Sequence, residues 1–209
     1  MFFVFDGIDG AGRSTQIELF SAWLRERGQD VVNCADPGST VLGNRMREIL
    51  LGKTEFPIHV RSEMLMFSVA RTQLVEEIIR PALESKKTVV CDRYFISTLV
   101  YQGHAGNLPI DDIRSITKVA VGGVLPDLTF LFDLPVEQSL ARMTRDDQEL
   151  DRMESRGTAY LQAVRDGFQV ESKPDSARVE MIDATGSIEQ IQQAIQQRAL
   201  SLFEQRGAQ

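Results

Sequence analysis

The chain reads as an α/β protein built on a five-stranded parallel sheet flanked by helices. Three observations carry that reading. Short apolar, strand-like runs recur at wide intervals, at residues 2–6, 30–34, 88–91, 128–134 and 178–183. Helical periodicity fills the stretches between them, and strands that alternate with helices pair in parallel beneath those helices. The first run ends in a glycine-rich turn that leads directly into a helical pattern.

That first turn is the most informative segment. Residues 7–14 read Gly-Ile-Asp-Gly-Ala-Gly-Arg-Ser. Gly7, Gly12 and Ser14 fit the phosphate-binding pattern G-x-x-x-x-G-K-[ST] at its spacing, with Arg13 in the lysine slot. An apolar strand stands before it. A helix over residues 14–27 follows, with Ile17, Phe20 and Leu24 on one face and Gly28 as its stop. Glycines let backbone N–H groups curl around phosphate oxygens, and the helix N-terminus adds positive potential. The Ser14 hydroxyl is the expected ligand of Mg²⁺.

The clearest helix is expected over residues 61–84, from the apolar pairs Met64/Leu65, Leu74/Val75, Ile78/Ile79 and Ala82/Leu83. Pro81 falls inside it and is expected to kink or shorten its last turn. Another helix is expected over residues 187–203, with Ile188, Ile191, Ile195, Ala199 and Leu202 on one face. Residues 144–156 carry dense charge of both signs and almost no apolar anchor. They read either as a solvated connection or as a lid that brings arginines to phosphates.

Length and composition bound the function. At 209 residues the chain suits one domain, and a net charge of −7 argues against a general nucleic-acid or membrane binder. A phosphate pocket then has to be a local cluster of arginines in an acidic shell. Cys34 and Cys91 are far apart in sequence and each closes a strand-like run, which suits buried thiols in a reducing, cytoplasmic setting. The opening run is too short for a leader and is needed as a strand. No run approaches the ~18 apolar residues of a membrane span.

Val90-Cys91 leads into Asp92-Arg93-Tyr94, which puts a carboxylate and a guanidinium at the C-terminal edge of the sheet, where open α/β folds bind ligands. A structural Asp–Arg ion pair is the plainer alternative. The run continues as Phe95-Ile96-Ser97-Thr98-Leu99-Val100-Tyr101-Gln102-Gly103. From Asp92 onward it resembles the D-R-[YH]-x-x-S-[TS]-x-A-Y-Q-G signature of bacterial thymidylate kinases, with Val100 for the usual alanine. Further motifs of that family are similar in the same order. The helix segment ending Leu65-Met66-Phe67-Ser68-Val69-Ala70-Arg71 matches with approximate spacing. Pro126-Asp127-Leu128-Thr129, Leu150-Asp151-Arg152-Met153-Glu154 and Ile182-Asp183-Ala184-Thr185 follow it.

The resemblance implies a P-loop nucleoside monophosphate kinase, a single domain over residues 1–209 with a lid at 144–156. It would transfer the γ-phosphoryl group of ATP to dTMP with Mg²⁺, as a homodimer. Gly7, Gly10, Ala11, Gly12, Arg13, Ser14 and Thr15 would hold the ATP phosphates. Asp9 would sit near the acceptor's 3′-hydroxyl or the metal. Phe67 would stack on thymine, and Arg71, four residues on along the same face, would bond the ring edge. Arg93 would bind the dTMP phosphate. Tyr101 would pack under the deoxyribose, with Ser97 and Gln102 at the base. Arg145 and Arg152 would be the lid arginines, with Arg142 one turn from Arg145 as an alternative. Plainer roles stay open: Phe67 as a core residue, Tyr101 and Gln102 as a helix closure.

Two sites depart from the family pattern. Arg13 replaces a lysine, and a planar fork is no neutral substitute for a compact ammonium. Reversion to lysine is expected to raise kcat or tighten the ATP site. Cys34-Ala35-Asp36-Pro37-Gly38-Ser39-Thr40 stands where the family reads T-R-E-P-G-G-T, losing an arginine, shortening a carboxylate and placing serine for glycine. The departures keep two alternatives open: a nucleotide-binding relative with weak or no kinase activity, and a kinase for another acceptor.

Overall fold

The computed structural model describes residues 1–52, 56–144, 151–173 and 178–207. The five strands are β1 (Phe2–Gly7), β2 (Val31–Ala35), β3 (Thr88–Asp92), β4 (Leu128–Asp133) and β5 (Val179–Asp183). They form one parallel sheet in the order β2-β3-β1-β4-β5. Each expected strand is present, its ends matching the expectation or shifted by a single residue. The three inner strands are buried on both faces and therefore read as continuous apolar runs, while the edge strands β2 and β5 are partly exposed.

Alternation along β1 splits the core in two. Phe3 and Phe5 point to one face and join Phe20, Phe130 and Phe132. Phe2 and Val4 point to the other, with Val89, Cys91, Leu74 and Ile79. On the first face Phe3 meets Phe20 edge-on, with ring centroids 5.1 Å apart. Each such ring contributes about 1.5–3 kcal/mol through burial. The helices α1 (Arg13–Glu26) and α2 (Val41–Leu51) follow β1 and β2, and the Thr40 hydroxyl caps α2 by accepting from Gly43 N at 2.9 Å.

The helix expected over 61–84 is not uniform. It runs as α3 (Val60–Leu74), a π-helical turn (Val75–Ile79) and α4 (Arg80–Glu84). Pro81 has no N–H for the carbonyl four residues back, and its ring crowds that carbonyl. The wider turn before it absorbs the clash. After β3 come α5 (Phe95–Thr98), a second π turn (Leu99–His104) and α6 (Ile110–Val121). The rest are α7 (Val136–Met143), a 3₁₀ turn (Glu154–Arg156), α8 (Thr158–Glu171) and α9 (Ile188–Gly207), which extends past the expected 187–203. Among the described residues no helix is long and apolar enough to cross a membrane.

Candidate active site

Sheet order fixes the site. The chain leaves β1 with β3 on one side and β4 on the other, so the turn after β1 opens at a topological switch point. Gly7 has φ 130°, and a Cβ there would lie 2.7 Å from the backbone nitrogen of Phe132. Gly12 has φ 83° and forms the N-cap of α1. Glycine is therefore demanded at Gly7 by contact and at Gly12 by conformation. Ser139, on α7, donates to the Asp9 carbonyl at 2.8 Å and pins the loop from below. The first N–H groups of α1 have no intrahelical acceptors, so the loop mouth offers donors to an anion.

One cavity of about 450 Å³ runs from this loop to α3. Of the expected site residues, Asp9, Gly10, Arg13, Ser14, Phe67, Arg71, Arg93, Ser97, Tyr101 and Gln102 line it. Gly7, Gly12 and Thr15 belong to the loop and first turn without facing the cavity. The Ala11 side chain is part of the core, which leaves only its backbone for a ligand. Phe67 is half-buried, stands outside the core clusters formed by the described residues, and lines the cavity.

Two ionic centres organise the cavity. In the first, Arg93 sits at φ 68°, a left-handed conformation uncommon outside glycine. From there its guanidinium reaches Asp6 Oδ1 (3.1 Å), the Gly7 carbonyl (3.0 Å), Ser97 Oγ (3.0 Å), the Tyr101 hydroxyl (3.2 Å) and the Asp9 carboxylate. It also lies over the Tyr101 ring, 5.1 Å from the centroid. Tyr101 donates to Asp9 Oδ2 at 2.6 Å. Burial pushes the Asp9 carboxyl up, but Arg93, Arg13 and the Tyr101 hydroxyl outweigh it and hold the group below its ordinary 3.8. Burial pulls Arg93 down, and Asp9, Tyr101 and Asp6 more than reverse that, so it stays charged. Ser97 donates to Asp6 at 2.6 Å, so it braces Arg93 besides lining the cavity.

In the second centre, Arg71 and Asp36 form a fully buried pair at 2.5 Å. Arg71 Nη2 also donates to Thr98 Oγ1 (2.9 Å) and the Tyr94 carbonyl (3.3 Å). Burial outweighs Arg71 and raises the Asp36 pKa above 3.8. Among the described residues, Arg71 Nη1 and Asp36 Oδ1 have no hydrogen-bond partner. A buried donor and acceptor left open on residues that line a cavity call for a ligand presenting the complementary pair. Asp36, though shorter than glutamate, still reaches Arg71. Ser39, in place of glycine, takes φ 63° and accepts from Ala35 N at 2.9 Å.

The lid candidates divide. Arg145 lies outside the described residues. Arg152 turns away from the cavity onto α3: it donates to buried Glu63 at 2.6 Å and to the Leu50 carbonyl at 2.8 Å. Arg156 also pairs with Glu63, and Gln102 donates to it at 3.3 Å. Arg142 donates to the Ala184 carbonyl at 3.1 Å, in the turn after β5.

Sequence reasoning passed over Glu63, Thr98, Asp6 and Arg47, a cavity-lining cation on α2 that donates to the Pro37 carbonyl at 3.0 Å. A signal existed for Glu63, which precedes Phe67 and Arg71 at steps of four on one helix face. Another existed for Asp6, a carboxylate closing a fully apolar strand.

A parallel sheet, a phosphate-binding loop at its switch point and an arginine-rich cavity beside it define a P-loop protein of the nucleoside monophosphate kinase class. A family model described as thymidylate kinase matches residues 5–195. A thymidylate kinase of Exiguobacterium sp. strain AT1b is 42% identical over 209 residues, covering 100% of this chain and 98% of that protein. Those of Rhodopirellula baltica and Symbiobacterium thermophilum are each 40% identical, covering 95% and 93% of this chain and 78% and 90% of their own lengths. The chain belongs to the thymidylate kinase family.

Proposed function

We propose that this protein transfers the γ-phosphoryl group of ATP to dTMP, giving dTDP and ADP. The observation that carries the reading is that one continuous cavity joins Gly10 and Ser14 of the loop to Phe67 and Arg71 of α3. A donor phosphate at one end and a pyrimidine at the other would meet within it. The open donor of Arg71 and open acceptor of Asp36 suit the carbonyl and N–H along a thymine edge, with Phe67 as the flat wall. Arg93 is the cation for the acceptor phosphate, and Arg47 is a second in reach of the same cavity. Tyr101, held by Asp9, forms the floor for the sugar.

Phosphoryl transfer needs positioning and charge neutralisation more than covalent chemistry. Arg93 and the loop N–H groups provide both here, and the segment 144–156 would close over them and exclude water. Mg²⁺ is a hard cation that takes few protein ligands. Exposed Ser14 and the Asp92 carboxylate, both at the cavity, are the oxygen donors that would hold it. Bound there, it supplies neutralisation of the donor phosphates.

We infer a homodimer as well, from exposed Leu65 and Val69 on α3. Cys34 and Cys91, facing each other across β2 and β3 as free buried thiols, fit the reducing cytoplasm. A coupled ADP-release assay with dTMP, dUMP, dCMP, dGMP and thymidine tests the activity. The reading requires dTMP to be the preferred acceptor. Calorimetric binding of ATP and dTMP without turnover of any acceptor would leave a binding protein instead.

A further inference from the structure

Arg13 stands in the slot from which a P-loop lysine reaches the β- and γ-phosphates, and its side chain goes elsewhere. Its Nε–H donates to Asp92 Oδ1 at 3.1 Å. Nη1 donates to the carbonyls of Gly7 (3.0 Å) and Ile8 (2.8 Å), and Nη2 reaches Asp9 Oδ1 at 3.4 Å. The side chain is only 11% exposed.

The physical cause is local. Arg13 is the first residue of α1, where a cation meets the positive end of the helix. Turning back beneath the loop exchanges that repulsion for two carboxylates and two carbonyls. Only a planar fork with donors on three nitrogens can serve them together, whereas an ammonium offers its protons from one atom. Arg93 comes to the same Gly7 carbonyl and the same Asp9 carboxylate. Asp9 is thus clamped between two guanidinium groups, and Asp92 at the end of β3 is tied to the loop.

We propose that Arg13 is a positioning residue for the acceptor half of the site. It fixes Asp9, and through Asp9 the Arg93 guanidinium, while the donor triphosphate rests on the loop N–H groups and the N-terminus of α1. The role of the acceptor half rests on the dTMP kinase reading.

Calorimetry with Mg·ADP and, separately, with dTMP on the wild type, Arg13→Gln and Arg13→Lys tests it, with thermal melts to establish folding. dTMP binding weakens about tenfold or more in both variants, the effect of losing a charge-assisted hydrogen bond. ADP binding stays within about threefold, the size of effect expected when no direct contact is lost. ADP binding weakened about tenfold with dTMP binding intact, the same threshold reversed, would overturn the proposal. So would restoration of dTMP binding by lysine, or equal loss of both ligands. Binding of dTMP is read without turnover, so wild type that binds dTMP but transfers nothing would count against the kinase reading alone.

Discussion

At the residue scale the site is a set of carboxylates that keep arginines in fixed directions. Asp9 is the central one. Its pKa lies below 3.8 in the fold, so the stability it contributes is fully present above 3.8 and is lost as the pH falls through its lower folded value. Asp9→Asn is therefore expected to lower unfolding free energy at neutral pH by about 1–3 kcal/mol. The gap to wild type should narrow progressively below pH 3.8. Urea titrations across that range check this, and a gap that stays constant would remove Asp9 from the ionic centre. How much of this was legible in the sequence differs by residue. Ser39 occupies a left-handed position that the family pattern marks with glycine, so the strain was legible, while its bond to Ala35 N was not. The direction of Arg13 was not legible either, because its Nε partner Asp92 is 79 residues away in sequence. The expectation that lysine would improve this site looked at the slot alone, and the geometry now predicts the opposite for the acceptor.

At the element scale, periodicity located strands better than it located side chains on helices. Buried parallel strands are continuous apolar runs, and all five were readable to within a residue at their ends. The π turns were not. Tyr101 and Gln102 sit in one, where a regular helical wheel misassigns direction. Elements far apart in sequence also meet through ions that no local pattern encodes. Glu63 on α3 holds Arg152 and Arg156, both in the C-terminal half of the expected lid region. Glu63→Gln would leave two guanidinium groups partly unmatched at a buried site. It should destabilise the fold by about 3 kcal/mol, with a matching fall in the denaturation midpoint. A change near zero would mean that the two arginines find solvent or other partners without loss.

At the scale of the whole molecule, the cores on either face of the sheet hold the loop and the cavity wall at one end of the strands, and α3 and α6 carry exposed apolar side chains. Leu65 and Val69 are each 46% exposed on one side of α3, and Val119 is 80% exposed on α6, which packs against it. A dimer through this face predicts that sedimentation equilibrium finds twice the chain mass, and that Val69→Glu yields monomer with an unchanged melting profile at the site-bearing strands. Monomer in the wild type would assign these residues to an ordinary surface.

The central claim is that phosphate moves within one cavity from the loop to a nucleotide held by Arg93, Arg71 and Phe67. Transfer of label from ATP radiolabelled at the γ-phosphorus measures it most directly. With dTMP present, label should appear in dTDP in step with ADP released, and Arg93→Ala should abolish that transfer while ATP still binds. Label recovered only as inorganic phosphate, or ADP release indifferent to dTMP, would contradict it.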